Sequence, residues 1–129
     1  MYGKLMANLE NSYSPYSEYP VSAIVVMKDG TEYTGVNIEN ASYGATVCAE
    51  RVAILKAVSE GRRKGDFKEL HVMVGSDSIG TPCFMCRQVI TEFMSPDSKV
   101  ICWSTRGESK EFTVAEMCPY PWGEEDLNK

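Results

Sequence analysis

Two short stretches carry the residues best suited to chemistry: Cys48-Ala49-Glu50-Arg51 and Pro82-Cys83-Phe84-Met85-Cys86-Arg87-Gln88. Cys83 and Cys86 lie one helical turn apart, a spacing at which two thiolates can share a metal. Cys48 and Cys83 each fall at the predicted start of a helix. Unpaired backbone N–H groups and the helix dipole favour negative charge there, so both thiols are biased toward thiolate. Pro82 suits a helix entry, where no N–H is required. Cys48 and Glu50 would diverge inside a helix; they converge only on a point beyond the helix end. A Zn²⁺ between two helix starts satisfies this, with Cys48, Cys83 and Cys86 as ligands and a fourth position left for water. Three thiolates on Zn²⁺ leave a net charge of −1, which Arg51 and Arg87 would offset by hydrogen bonding to sulfur. Zinc brings the pKa of its water toward about 7. Glu50, beside the metal without binding it, would take that proton and pass it to a substrate nitrogen. This is equipment for hydrolysis at an amidine-like carbon with an amine leaving group.

Two other readings use the same cysteines. Cys102 or Cys118 could close a purely structural zinc site, which would leave Glu50 without a role. A redox C-x-x-C between strand and helix would leave Cys48-Ala49-Glu50 idle. The lone histidine, His71, falls in a predicted strand and is expected to be packed or hydrogen-bonded there. Cys102 and Cys118 are expected to be small buried hydrophobes.

The positioning elements follow from periodicity. Residues 2–12 carry apolar Tyr2, Leu5, Met6 and Leu9 at helical spacing. A Ser-, Tyr- and Pro-rich loop leads to an apolar strand, Val21 to Met27. Lys28-Asp29-Gly30 signals a hairpin turn into an alternating strand, Glu32 to Glu39. A loop over Asn40 to Ala45 precedes a helix from Cys48 to Glu60, stopped by Gly61, with Val52, Ile54, Leu55 and Val58 as its apolar face. The charged stretch Arg62 to Lys68, with its Arg62-Arg63-Lys64 run, reads as an exposed loop. Leu70 to Val74 is a strand, Cys83 to Met94 a helix, and Val100 to Trp103 a strand. Phe112 begins a short strand or passes into a short helix over Thr113 to Met117, before an acidic tail. The order predicts an α/β fold, a mixed sheet with helices packed on it.

A chain of 129 residues suits a single domain, 1–129. The net charge of −5 argues against a polynucleotide surface but not against an uncharged nucleoside. No apolar run is long enough to span a bilayer, and the N-terminus lacks a signal-peptide core. With five cysteines, an odd number, a disulfide framework is not expected and a cytoplasmic location is.

Tyr13-Ser14-Pro15-Tyr16-Ser17, Asn37-Ile38-Glu39-Asn40-Ala41-Ser42-Tyr43-Gly44, Cys48-Ala49-Glu50-Arg51 and Pro82-Cys83-x-x-Cys86-Arg87-Gln88-Val89 together resemble the small, homotetrameric type of zinc-dependent cytidine deaminase. The resemblance runs from about Tyr13 to Leu127. It implies a five-stranded mixed sheet with helices on both faces, a three-layer α/β/α arrangement. It also implies water attack at C4 of cytidine or deoxycytidine, with Glu50 carrying protons to N3 and to the leaving ammonia, in pyrimidine salvage. Asn37 and Glu39 match ribose 3′-hydroxyl contacts, and Ala49 would offer backbone groups to the base. Tyr19 stands where a Phe packs near the nucleoside. Tyr43 and Trp122 match positions that reach a neighbouring subunit's site, implying a tetramer with shared sites. Departures are Phe84 and Met85, where small residues are usual between the cysteines, Ser22 for a usual Gly, and the tail around Trp122. Bulk at Phe84 and Met85 is expected to reshape the wall near the leaving group. They keep open a base-modified cytidine or blasticidin-type nucleoside as substrate, or a catalytically silent zinc-containing nucleoside-binding module.

Overall fold

The computed structural model describes residues 1–128. A helix α1 (Tyr2–Leu9) precedes the hairpin β1 (Val21–Met27) and β2 (Glu32–Val36). Gly30 takes φ 91° in the hairpin turn, a conformation that costs glycine little. Then come α2 (Ala49–Ser59), β3 (Phe67–Val74), α3 (Phe84–Phe93), β4 (Lys99–Trp103), β5 (Ser109–Thr113), α4 (Val114–Met117) and α5 (Glu124–Leu127). The five strands form one sheet in the order β2-β1-β3-β4-β5. Only β3 and β4 run parallel, and α3 makes the crossover between them.

Side-chain alternation divides the sheet into two faces. Ala23, Val25, Met27, Leu70, Val72, Val100 and Cys102 build the larger core with Ala53, Ile54 and Ala57 of α2 and Ile90 of α3. Ile24, Val26 and Met73 point the other way and are covered by Leu5 of α1. Helices thus cover both faces, as expected. Ser22 has a structural use: its Oγ accepts from Asn8 Nδ2 at 3.0 Å, and the same amide donates to Gly35 O at 2.9 Å. That pair of bonds stitches α1 to the hairpin. His71 accepts from Trp103 Nε1–H at 3.1 Å through its Nδ1 and is buried in the sheet, as expected.

Several elements differ from the sequence expectation. Strand β3 starts at Phe67, inside the stretch read as exposed, because Phe67 is buried against the Phe93 ring at 5.9 Å and pairs with Met27. Arg62 is not merely solvated: it donates to Asp29, Thr31 and Tyr33, tying the end of α2 to the hairpin. Thr31's N–H, with Arg62 adding to it, holds the Asp29 carboxyl down at about 2. Strand β2 ends at Val36 rather than Glu39, since Ile38 leaves the sheet to bridge Tyr13 and Val47. Phe112 does not begin a strand: β5 already starts at Ser109, paired with Trp103, and runs to Thr113, which caps the short helix α4 over Val114 to Met117.

The inner face of α2 is made of Ala49, Ala53, Ile54 and Ala57, whereas Leu55 is exposed and Val58 only partly buried. The reason is a close approach. A Cβ on Gly35 of β2 would lie 2.4 Å from Ala49 O and 2.5 Å from Ala53 N. Only a glycine facing alanines lets the start of α2 sit this near the sheet. Gly35→Ala is therefore expected to cost about 1–3 kcal/mol through overpacking against backbone. In thermal unfolding the midpoint should fall by about 5 °C or more. An unchanged midpoint would show that α2 can shift outward freely.

Candidate metal centre

Cys48 is the N-cap of α2 and Cys83 the N-cap of α3, both with extended backbone. Cys86 lies in the first turn of α3 and is buried. The three sulfur atoms all lie within 4.8 Å of one another, and Cys48 Sγ to Cys83 Sγ is 4.0 Å. That is far beyond a disulfide bond of about 2.05 Å. Three thiolates bonded tetrahedrally to zinc at about 2.3 Å sit about 3.8 Å apart. The donor set therefore fits zinc in kind and spacing. Among the described residues this is the one such cluster, and neither Cys102 nor Cys118 joins it. Cys102 is buried, and burial pushes its thiol up to about 12. Three ligands rather than four match an open, catalytic site.

The electrostatics agree. The Cys86 thiol beside Cys48, aided by Arg51, brings Cys48 down to about 5. Cys86, next to that thiolate and buried, is pushed strongly up. Without a metal the pair thus keeps a shared proton, which a bound cation would displace. Arg51 Nη2 lies 3.7 Å from Cys48 Sγ and 3.4 Å from Thr46 O, close enough to spread charge from the sulfur. Arg87 behaves differently from expectation. Its Nε donates to Pro82 O at 2.8 Å, Nη1 to Met117 O at 2.8 Å and Nη2 to Thr81 Oγ1 at 3.1 Å. It braces the ligand-bearing loop instead of hydrogen bonding to sulfur, because backbone carbonyls on two sides meet its fork.

Glu50 occupies the first turn of α2 with 5% of its surface exposed. Burial pushes its carboxyl up to about 7, partly opposed by its own backbone N–H; the Cys48 charge pushes the same way as burial. A buried acid this close to a thiol cluster can hold or release a proton near neutral pH. Ala49 is buried; its carbonyl faces Gly35, so the group it can offer at the helix start is its N–H.

Asn37 and Glu39 lie just past β2, and both are tied to loops. Asn37 Oδ1 accepts from Val21 N at 2.8 Å and from the Ser12 hydroxyl, while Nδ2 donates to Tyr19 O at 2.9 Å. A second Nδ2 hydrogen remains for a ligand. Glu39 accepts from the N–H groups of Tyr16 and Ser17 at 3.0 and 3.1 Å and from the Ser17 hydroxyl. The Ser17 hydroxyl foremost, with these N–H groups, holds its carboxyl below the ordinary range. Glu39, Tyr16, Ser17, Asn40, Tyr43 and Thr46 line a cleft of about 250 Å³. Thr46 and Arg51 link this cleft to Cys48. Ser17 and Thr46 were not singled out from the sequence; the Ser17 position in the Tyr-Ser-Pro-Tyr-Ser run was the available signal.

Tyr19 is half exposed, its hydroxyl 3.5 Å from where a Cβ on Gly80 would stand, just before the second ligand stretch. Tyr43 is 82% exposed and Trp122 55% exposed. They line different cavities, Trp122 bordering one of about 410 Å³ along α3 and the tail. Phe84 and Met85 are 77% and 62% exposed, and the Phe84 ring lies under Arg87 at 4.6 Å. Within this chain both side chains are exposed beside Cys83, which is exposed too.

Residues 2–103 match the family model described as the cytidine and deoxycytidylate deaminase zinc-binding region. The chain is 45% identical over 119 residues to a cytidine deaminase of Halalkalibacterium halodurans, covering 92% of this chain and 89% of that protein. It is 31% identical over 109 residues to a blasticidin-S deaminase of Bacillus cereus, covering 80% and 76%. The crystal structure of a cytidine deaminase from Burkholderia pseudomallei superposes with a TM-score of 0.89 at 34% identity, over 93% of this chain and 94% of that one.

Proposed function

The chain belongs to the zinc-binding cytidine and deoxycytidylate deaminases, and from that premise we infer that it hydrolyses cytidine and deoxycytidine to uridine and deoxyuridine with release of ammonia. The observation that carries the reading is the convergence of Cys48, Cys83 and Cys86 at two helix starts beside the buried carboxyl of Glu50. Cys48, Cys83 and Cys86 would hold the zinc, whose Lewis acidity makes water nucleophilic at neutral pH.

The remaining work falls to side chains of this chain. Glu50 takes one proton from the water and gives it to N3 as oxygen bonds to C4. It then carries the second proton to the amino nitrogen as the C4–N bond breaks. One water is consumed, one proton ends on N3, and the other leaves with ammonia. Burial of Glu50 keeps its proton exchangeable near neutral pH and keeps bulk water away. Arg51 moderates the charge of the thiolates at Cys48. Asn37 and Glu39 hold the ribose, Ala49 N–H faces the base, and Tyr19 packs beside the nucleoside. Residues 1–129 act as one domain.

The family spans nucleosides and nucleotides, and the cleft around Glu39 favours the former. Its lining is one carboxylate and neutral groups, with no Lys or Arg among them. A phosphate placed there would meet like charge at the Glu39 carboxylate. Greater identity to a cytidine deaminase than to a blasticidin-S deaminase favours the unmodified nucleoside. Tyr43, Phe84, Met85 and Trp122 are large apolar side chains left exposed in the single chain, which a second copy would cover. This supports a homotetramer in which Tyr43 and Trp122 reach a neighbour's site. Unpaired cysteines suit a reducing cytoplasm, and among the described residues no helix is long and apolar enough to cross a membrane.

The test is a substrate panel of cytidine, deoxycytidine, deoxycytidine monophosphate and blasticidin S, with ammonia and product quantified together. Both nucleosides should give ammonia and the uracil product in equal amounts. The monophosphate should show kcat/KM lower by about 10-fold or more, through repulsion by the Glu39 carboxylate. Preference for the monophosphate or the antibiotic would overturn the assignment.

A further inference from the structure

Arg87 and Gln88 directly follow the last cysteine of the thiol cluster, and both reach to the C-terminal segment. Arg87 Nη1 donates to Met117 O, and Gln88 Nε2 donates to Trp122 O, each at 2.8 Å. These bonds bracket Cys118 to Pro121. Pro119 and Pro121 lack backbone N–H groups, so this stretch can form neither a helix nor a strand ladder. Cys118 N–H bonds back to Val114 O at 2.9 Å, and at the far end a side-chain donor holds the Trp122 carbonyl. A further tether lies beyond: Lys64 pairs with Glu92 of α3 and Glu124 of α5, each at 3.2 Å. The tail is thus laid along the helix whose first turn carries Cys86, while the Trp122 side chain stays largely exposed.

We propose that Gln88 is a positioning residue for nucleoside binding: it fixes the backbone at Trp122 so that the indole is presented in one place. The proposal rests on the reading above that Trp122 reaches a nucleoside site in a neighbouring copy. Of the tethers, Gln88 alone holds the carbonyl of the aromatic residue itself. Lys64 ties the segment beyond it through exposed ion pairs, which are weak. Gln88 touches neither sulfur nor Glu50 by any bond, so its effect should fall on binding and not on the chemical step.

The test compares Gln88→Leu, close in size but without the donor, with Trp122→Ala and with the double variant. Gln88→Leu should raise KM for cytidine by about 3- to 10-fold, the effect expected of one neutral hydrogen bond. Its kcat and zinc content should match the wild type. In the double variant the KM should equal that of Trp122→Ala alone, since the tether has nothing left to position. A purely structural role for Gln88 would instead add in full. A second readout needs no turnover: in a Trp103→Phe background, where Trp122 is the only tryptophan, Gln88→Leu should increase acrylamide quenching. Unchanged quenching, additive KM effects, or an unchanged KM in Gln88→Leu or Trp122→Ala each overturns the proposal. Absence of cytidine turnover in the wild type would instead count against the proposed function, while quenching would still judge the tether.

Discussion

Replacing Glu50 with Gln is expected to abolish nearly all turnover while leaving the protein folded and metal-loaded. Gln has the same size and can accept and donate hydrogen bonds, but it cannot release a proton. In the proposed mechanism Glu50 serves both proton transfers, to N3 and to the departing amine, so the loss should reach at least about 10³-fold in kcat, toward the upper range for a general acid–base group. The buried position argues that little else changes, because Gln fills the same space without a charge to desolvate. Zinc content and the thermal midpoint should therefore stay close to wild type, and KM should move little. Glu50→Asp keeps the acid but withdraws it by one methylene, and should be intermediate. Full activity in Glu50→Gln would end the mechanism; loss of metal in that variant would mean that Glu50 shapes the cluster instead.

Replacing Cys86 with Ala is expected to remove both metal and activity. Cys86 is the buried member of the trio, and two thiols remain on different helix starts. A pair at the mouth of two helices is a poor zinc site, where four-coordinate sites with at least three protein ligands are the rule. Zinc measured on the purified variant should fall below about one tenth per chain. Turnover should fall with it, since nothing else present makes water nucleophilic at neutral pH. Stability should also drop, because metal bound only by the folded chain stabilises it by linkage. Cys102→Ala is the matched control. It removes an equally buried thiol that lies outside the cluster, so it should cost about 1 kcal/mol yet keep zinc and turnover. If the two variants behaved alike, the three-cysteine assignment would fall.

What could be read from the sequence, and what could not, divides along a physical line. Cys83 and Cys86 share a helical turn, and Cys48 caps another helix, so local spacing was enough to anticipate that the three sulfur atoms cluster. Glu50 was legible as a first-turn acid two positions after an N-cap cysteine, and it is buried and feels the Cys48 charge. Arg87 was misjudged because its partners, Pro82 O and Met117 O, are backbone groups brought together by tertiary packing. No pattern in the sequence marks a carbonyl as waiting for a guanidinium. The inner face of α2 was misjudged because hydrophobicity favours Leu55 and Val58 over alanine, whereas the contact with Gly35 selects for small size. Glu39 was read on a strand face, yet it lies beyond the end of β2 and anchors Ser17.

The central claim is that three thiolates and one carboxyl make a single zinc-dependent deaminase site. It is tested most directly by stripping the protein of metal, restoring zinc in measured steps, and recording bound zinc and cytidine turnover on the same samples. Turnover should be absent in the stripped protein and rise in proportion to bound zinc, levelling off at one zinc per chain. Turnover that survives complete removal of the metal, or one bound zinc per chain with no conversion of cytidine to uridine, would contradict it.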